Sequence, residues 1–238
     1  MKFPKVLIFS PTYEGKEYCR EKFVEHVNNI SYPNKEFIMI DNSEGMDYFN
    51  KLKADGVPVH KVSRNDDLWE TLAASQNYAR NYAINNDFDY VLSLESDVFP
   101  PADIIQKLMR RFKPIVGGWY MLGGFHRLDD NKYIPEVPCV FLTEGSGTRF
   151  ITREELGKIQ SIGGIHQVHG MGVGCVLIDI DIIKRYSFWV DNRFNKASDS
   201  YFYMDLWNDK IPVFMDVDLE IPHEPNSRSK SMYKKKGE

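Results

Sequence analysis

Cysteine is scarce: three residues, Cys19, Cys139 and Cys175, in a chain of 238, with no C-x-x-C pair among them. That spacing offers neither a disulfide framework nor a zinc ligand set and fits a reducing cytoplasm. No apolar run approaches the ~20 residues a membrane helix needs. The run Val6-Leu7-Ile8-Phe9 is too short for a signal peptide and reads as a strand. Charge of one sign is also missing: 30 Lys+Arg against 34 Asp+Glu give a net charge of -4, so no global positive field draws in nucleic acid. Finally, there is no glycine-rich phosphate loop. Neither G-x-G-x-x-G nor a P-loop occurs, and the first strand runs into Pro11-Thr12-Tyr13-Glu14-Gly15.

What is present is an ordinary globular composition, 42% apolar and 27% charged, with aromatics at 13%. Disordered and fibrous classes are excluded by it. After Val6-Phe9, the positions Tyr18, Cys19, Phe23, Val27 and Ile30 recur at three and four residues, which predicts a helix. Phe37-Ile40 predicts a second strand, Met46, Phe49 and Leu52 a short amphipathic helix, and Val57-Val62 a third strand. Leu68 to Asn85 carries a helical stripe and Tyr90-Leu94 is the next strand. Runs apolar on both faces belong in a parallel sheet covered on both sides. The expectation is a β-α-β-α-β-α-β half, then a helix near Ala102 to Phe112, in an α/β fold whose ligands bind beyond the strand C-termini.

The second half is dense in glycine: Gly117-Gly118, Gly123-Gly124, Gly163-Gly164 and Gly170-Met171-Gly172-Val173-Gly174. Such density implies irregular backbone shaped around a substrate. With no linker between the halves, residues 1–225 read as one domain with two functional lobes. Residues 226–238, with Arg228, Lys230, Lys234, Lys235 and Lys236, read as a basic tail that is solvated, closes over a diphosphate, or makes a peripheral contact with an anionic membrane surface.

Without a cradle of backbone amides, a diphosphate on such a sheet needs a divalent cation held by carboxylates. Glu95-Ser96-Asp97 offers an i, i+2 pair at a strand end. Mg2+ and Mn2+ suit oxygen ligands and bridge protein to phosphate. Taken alone, the triplet is equally a helix-capping turn.

The stretch Asn77-Tyr78-Ala79-Arg80-Asn81 through Asp89-Tyr90-Val91-Leu92-Ser93-Leu94-Glu95-Ser96-Asp97-Val98-Phe99-Pro100 resembles the A-R-N … D-Y-(hydrophobic)-L-D-S-D … P signature of GT-A nucleotide-sugar glycosyltransferases, especially the family-2-like group. Three further segments are similar in order: Phe37-Ile38-Met39-Ile40-Asp41-Asn42-Ser43, Asp199-Ser200-Tyr201-Phe202, and His223 after Val217-Pro222. The resemblance implies a GT-A-like, mixed but mostly parallel sheet flanked by helices, with residues 1–100 as the nucleotide-binding half and 101–225 as the acceptor-binding half. It implies metal-dependent transfer of a sugar from a nucleotide-diphosphate donor to a hydroxyl acceptor on a glycan, protein, lipid or modified nucleic-acid base, with inversion.

It also implies roles. Glu95, Asp97 and His223 would hold Mn2+ or Mg2+. Pro11, Thr12, Asp41, Arg64, Arg80 and Ser96 would contact the donor, and Asp199 would be the general base. Two positions depart from the pattern: Glu95 stands for the first Asp of the triplet, and Ser198 where relatives carry Glu. A nucleotide-sugar-binding module with weak catalysis is therefore a second reading. A nucleotidyltransferase is a third, although Pro11-Thr12-Tyr13-Glu14 lacks the basic residue such a loop carries.

Several residues have plainer readings. Asp41 suits an Asx turn, and Asp199 suits the N-cap of a helix from about Ser200 to Asn208. His166 and His169 read as part of a loop near the acceptor. Trp119, Tyr120 and His126 read as core before sugar stacking, and Trp189 and Trp207 as core.

Overall fold

Strands apolar on both faces need helices above and below them, and the chain supplies both layers. The computed structural model describes residues 3–123, 125–126, 133–145, 147–191, 193 and 196–225, with the backbone alone at 125, 126, 133 and 134. The basic tail, Gly124 and the side chain of His126 lie outside the described residues.

The first half alternates β1 (Val6–Thr12), a 3₁₀ turn over Glu14–Cys19, α1 (Arg20–Asn28), β2 (Lys35–Asp41), α2 (Asp47–Ala54), β3 (Val59–Lys61), α3 (Leu68–Asn85) and β4 (Tyr90–Leu94). Next come α4 (Ile104–Met109), β5 (Ile115–Trp119), β6 (Met121–Leu122), β7 (Phe125–His126), β8 (Tyr133–Ile134), β9 (Val137–Pro138), β10 (Val140–Glu144), β11 (Gly147–Phe150) and α5 (Arg153–Gln160). The last part holds β12 (Ile165–Val168), β13 (Gly170–Met171), β14 (Cys175–Asp179), α6 (Ile180–Arg185), α7 (Ser198–Asn208) and β15 (Val213–Glu220).

The main sheet has eight strands in the order β12-β15-β5-β14-β4-β1-β2-β3. Pairs β15–β5, β4–β1, β1–β2 and β2–β3 are parallel, while β14 runs antiparallel to both neighbours and β12 antiparallel to β15. The architecture is thus mixed α/β with a mostly parallel central sheet flanked by helices. Both sequence halves feed this one sheet. Side chains alternate across it: Leu7, Phe9, Ile38 and Ile40 pack with α3, α6 and α7, and Val6, Ile8, Met39 and Leu92 pack with α1, α2 and α4. That alternation is why these runs are apolar at every position. Among the described residues, no helix is long and apolar enough to cross a membrane, and the three cysteines are free and buried.

The structure corrects some local expectations. Met46 is exposed and precedes α2, whose buried face is Tyr48 and Leu52. Trp207 is 46% exposed and lies against His169, ring centroids 4.9 Å apart, so it is no core residue. Trp189 is half-buried, its Nε1 donating to Asp205 at 2.7 Å. Trp119 and Tyr120 are buried as expected. Gly117 and Gly118 are not irregular backbone but lie within β5. A Cβ at Gly117 would come within 2.6 Å of Met171 Sδ and 2.7 Å of the Cys175 carbonyl, so glycine there permits close packing.

Backbone cannot yield as a flexible side chain does, so Gly117→Ala overpacks the sheet centre. We expect a loss of roughly 1–3 kcal/mol, read as a lower urea midpoint with an unchanged slope.

Candidate active site

Two chain crossings assemble the site at the C-terminal end of β4. Beyond Leu94 the chain turns through Glu95-Ser96-Asp97, with Val98 N–H donating to Glu95 O at 3.0 Å. Beyond β15 it returns across this turn. Val98 and His223 form an antiparallel bridge, Phe99 N–H donates to Pro222 O at 2.9 Å, and Glu224 N–H donates to Asp97 O at 2.9 Å. The bridge fixes His223 beside Asp97. Its Nδ1 lies 2.7 Å from Met121 O, and a carbonyl can only accept, so Nδ1 carries the proton. Nε2 is then directed at Asp97 Oδ2, 3.5 Å away. Ligand atoms of Glu95, Asp97 and His223 all lie within 4.8 Å of one another.

Other groups close around the carboxylates. Lys16, from the 3₁₀ turn after β1, bonds through Nζ to Asp97 Oδ2. Tyr18 Oη lies 3.2 Å from the same oxygen and 2.8 Å from Glu224 O. Tyr120 Oη donates to Glu95 Oε1 at 3.2 Å. Two buried atoms here, Asp97 Oδ1 and Ser96 Oγ, have no hydrogen-bond partner among the described residues. A buried acceptor without a partner carries a desolvation penalty that a bound ligand or ion would relieve.

The charges are strongly biased. Burial opposes ionisation of Asp97, but the contacts with His223 and Lys16 outweigh it and hold this carboxyl well below its usual range. Burial, followed by the charge of Asp97, raises Glu95. Burial also works against the cations of Lys16 and His223, yet Asp97 leaves both pKa values above their ordinary positions.

This corner opens into a cavity of about 450 Å3. Asp199 lines its wall from the first turn of α7. It is not the N-cap, a position taken by Ala197, although its carboxylate accepts from the backbone N–H and hydroxyl of Ser200 in the first turn. Burial first, then the charge of Glu95, pushes Asp199 up to about 6.

Of the residues expected from sequence, Pro11, Thr12, Arg64, Glu95, Ser96, Asp97, Asp199 and His223 all line this cavity. Asp41 and Arg80 do not. Asp41 is fully buried: Oδ1 accepts from Ser43 N at 3.0 Å and Ser43 Oγ at 2.5 Å, and Oδ2 from Lys61 Nζ at 2.9 Å. It is the Asx-turn residue, and its neighbour Asn42 lines the cavity instead. The Arg80 guanidinium donates to the carbonyls of Ile183 at 2.7 Å, Lys184 at 2.8 Å and Tyr186 at 3.0 Å, closing the C-terminal end of α6. His166 and His169 are also absent from the wall. His166 sits in edge strand β12 with Nε2 3.2 Å from Gly163 O. Sequence reasoning missed Lys16, which lines the cavity together with Tyr13 of the first loop and Tyr120, read from sequence as core before sugar stacking. The Arg64 guanidinium lies 5.8 Å from the Tyr13 ring centroid.

No protein-family model and no curated protein matches the chain. Among solved structures it is similar to the crystal structure of A197 from STIV, with 15% identity and a TM-score of 0.46 over 94% of this chain and 87% of that one.

A carboxyl whose pKa rises from 3.8 to about 6 on folding binds more protons folded than unfolded within that interval, so its contribution to stability falls as pH rises through it. Asp199→Asn removes the penalty. We expect the variant to match the parent near pH 4 and to exceed it by on the order of 2 kcal/mol at pH 8, the partial access of solvent having been discounted. Urea unfolding at the two pH values measures this.

Proposed function

We propose that the chain is a GT-A-like glycosyltransferase that moves a sugar from a nucleoside-diphosphate donor to an acceptor hydroxyl with the help of a divalent cation. The observation that carries this reading is the pairing of two chemical environments in one cavity. Asp97 is held ionised beside Glu95 and His223, and Asp199 is raised into the range of a working base. A volume of about 450 Å3 suits a small-molecule ligand.

Two carboxylates and an imidazole form a donor set suited to Mn2+ or Mg2+, and the unpartnered Asp97 Oδ1 fits such a guest. Glu95, Asp97 and His223 would hold the cation, which when bound supplies Lewis-acid stabilisation of a leaving diphosphate. Pro11, Thr12, Asn42 and Arg64 line the cavity from the ends of β1 and β2 and the segment after β3, where the donor's nucleoside would lie. Leu68, Leu72 and Phe141 give that cavity apolar walls, and walls of this kind exclude water and strengthen each charge inside.

In the transfer, the acceptor oxygen forms a bond to the anomeric carbon as the bond from that carbon to the diphosphate oxygen breaks, its electron pair leaving on the diphosphate. Asp199 takes the acceptor proton. A pKa near 6 leaves it mostly ionised at neutral pH yet basic enough to accept. One displacement of this kind inverts the anomeric centre.

The test is a panel of nucleotide sugars with Mn2+, read as thermal stabilisation and as released nucleoside diphosphate. Stabilisation without release identifies a binding module. Pyrophosphate release identifies a nucleotidyltransferase, a reading that Lys16 in the first loop favours more than Pro11-Thr12-Tyr13-Glu14 alone does. Under the proposed reading, Asp97→Asn abolishes Mn2+-dependent turnover while the far-UV spectrum is unchanged. Asp199→Asn retains stabilisation by donor and loses about 10²–10⁴-fold in kcat. Parental kcat/KM should fall as pH drops below about 6.

A further inference from the structure

Lys16 belongs to none of the roles assigned above, yet its ammonium occupies the centre of the cluster. Its side chain is 16% exposed, it lines the cavity, and Nζ is bonded to Asp97 Oδ2, the oxygen that Tyr18 Oη and His223 Nε2 also approach. This is a built arrangement. The 3₁₀ turn at the end of β1 is closed by Lys16 N–H donating to Tyr13 O at 2.8 Å, which sets the lysine stem toward the carboxylates. Asp97, at 2% side-chain exposure, thus has a protein-supplied cation on Oδ2, while its Oδ1 has no partner among the described residues.

An ammonium on Oδ2 and a divalent cation on Oδ1 of the same carboxylate stand only a few ångströms apart, and like charges that close in a water-poor site repel strongly. When a metal ion takes Asp97, Lys16 must let go. Its stem is flexible and its charge needs a partner, since a buried cation without one is costly. A diphosphate brought in beside the metal is such a partner, and an ammonium on a flexible stem is a standard phosphate donor.

We infer that Lys16 is a second, protein-borne cation for the donor diphosphate, stored on Asp97 while the site is empty and transferred to the phosphate oxygens when a divalent ion displaces it. This rests on the metal-and-diphosphate reading above. It adds a residue to that reading and a consequence: metal alone binds against an internal competitor, and metal and diphosphate each tighten the other.

The probes are Mn2+ alone and inorganic pyrophosphate at saturating Mn2+, titrated calorimetrically. Lys16→Met is expected to bind Mn2+ alone about tenfold more tightly and pyrophosphate about tenfold more weakly, the size of one charge-assisted hydrogen bond. Unchanged or weaker Mn2+ binding, or unchanged pyrophosphate binding, overturns the inference. Because Lys16→Met strips a buried carboxylate of its partner and can impair folding, the unaltered chain provides an independent measurement. Light acetylation with mass spectrometry should find Lys16 protected alone, more reactive with Mn2+, and protected again when pyrophosphate is added. Reactivity that does not rise in chain shown calorimetrically to be Mn2+-loaded overturns it equally. Asp97→Asn separates the two levels. If it leaves Mn2+ binding intact, or if the parent chain binds no Mn2+, the metal reading falls and the Lys16 inference with it. If it abolishes Mn2+ binding while Lys16→Met behaves as the parent, only the role of Lys16 falls.

Discussion

A carboxylate almost completely removed from water has to be met by positive charge and hydrogen bonds, and Asp97 imposes that requirement on much of the chain. Lys16 lies 81 residues before it, and its approach requires the 3₁₀ turn after β1. His223 reaches it only because the segment after β15 folds back over the end of β4, pinned by backbone bonds on both sides of the Val98–His223 bridge. Met121 O holds the far nitrogen of the imidazole, so the ring orientation is set by the chain leaving β5. Removing any one of these supports leaves a buried charge short of a partner, a costlier defect than a missing surface ion pair.

The mixed topology follows from the same place. In the first half, parallel strands β3-β2-β1-β4 deliver their C-terminal ends to one edge. An open parallel sheet leaves such an edge uncovered, and the second half covers it. Strand β14 enters antiparallel beside β4 and returns the chain, placing Gly172 and Val173 in the cavity wall just before it. The small sheet β11-β10-β13 adds Phe141 and Phe150, and α7 adds Asp199. The cavity is thus a seam between a regular half that presents strand ends and an irregular half that roofs them.

That division also explains what could be read in advance. The bounds of α3 and β4 were legible at 68–85 and 90–94, because a buried helix stripe and a doubly covered strand are local patterns. The α3 start carries its own signal, Asp67 capping Trp69 N at 2.7 Å and Glu70 N at 2.9 Å. The two-residue strands β6, β7, β8, β9 and β13 are too short to carry a period and exist only through their pairing. Within the site, Glu95, Asp97, Asp199 and His223 were legible by resemblance in order and spacing. Asp41 and Arg80 shared that resemblance but are claimed by Ser43, Lys61 and the carbonyls ending α6, partners that tertiary structure alone supplies. Lys16 stands one residue beyond Pro11–Gly15 and carries no sequence signal, because the carboxylate that gives it a place lies 81 residues away.

The three acidic residues of the cavity are not equivalent, and their differences fit a division of labour. Asp97 has cationic partners and is pinned in the charged state. Asp199 has none that offsets its burial and is pushed toward neutrality. Glu95 stands between them, raised by burial and by Asp97, while its own charge is the second cause of the rise in Asp199. Asp97 and Asp199 are therefore electrostatically linked through Glu95. Whatever neutralises Glu95, by coordination or by protonation, removes one of the two causes that hold Asp199 up and returns that carboxyl toward its ordinary range. A carboxyl at Asp199 that follows the charge state of Glu95 is a direct consequence of placing three carboxylates in one cavity and giving Asp97 the direct cationic partners.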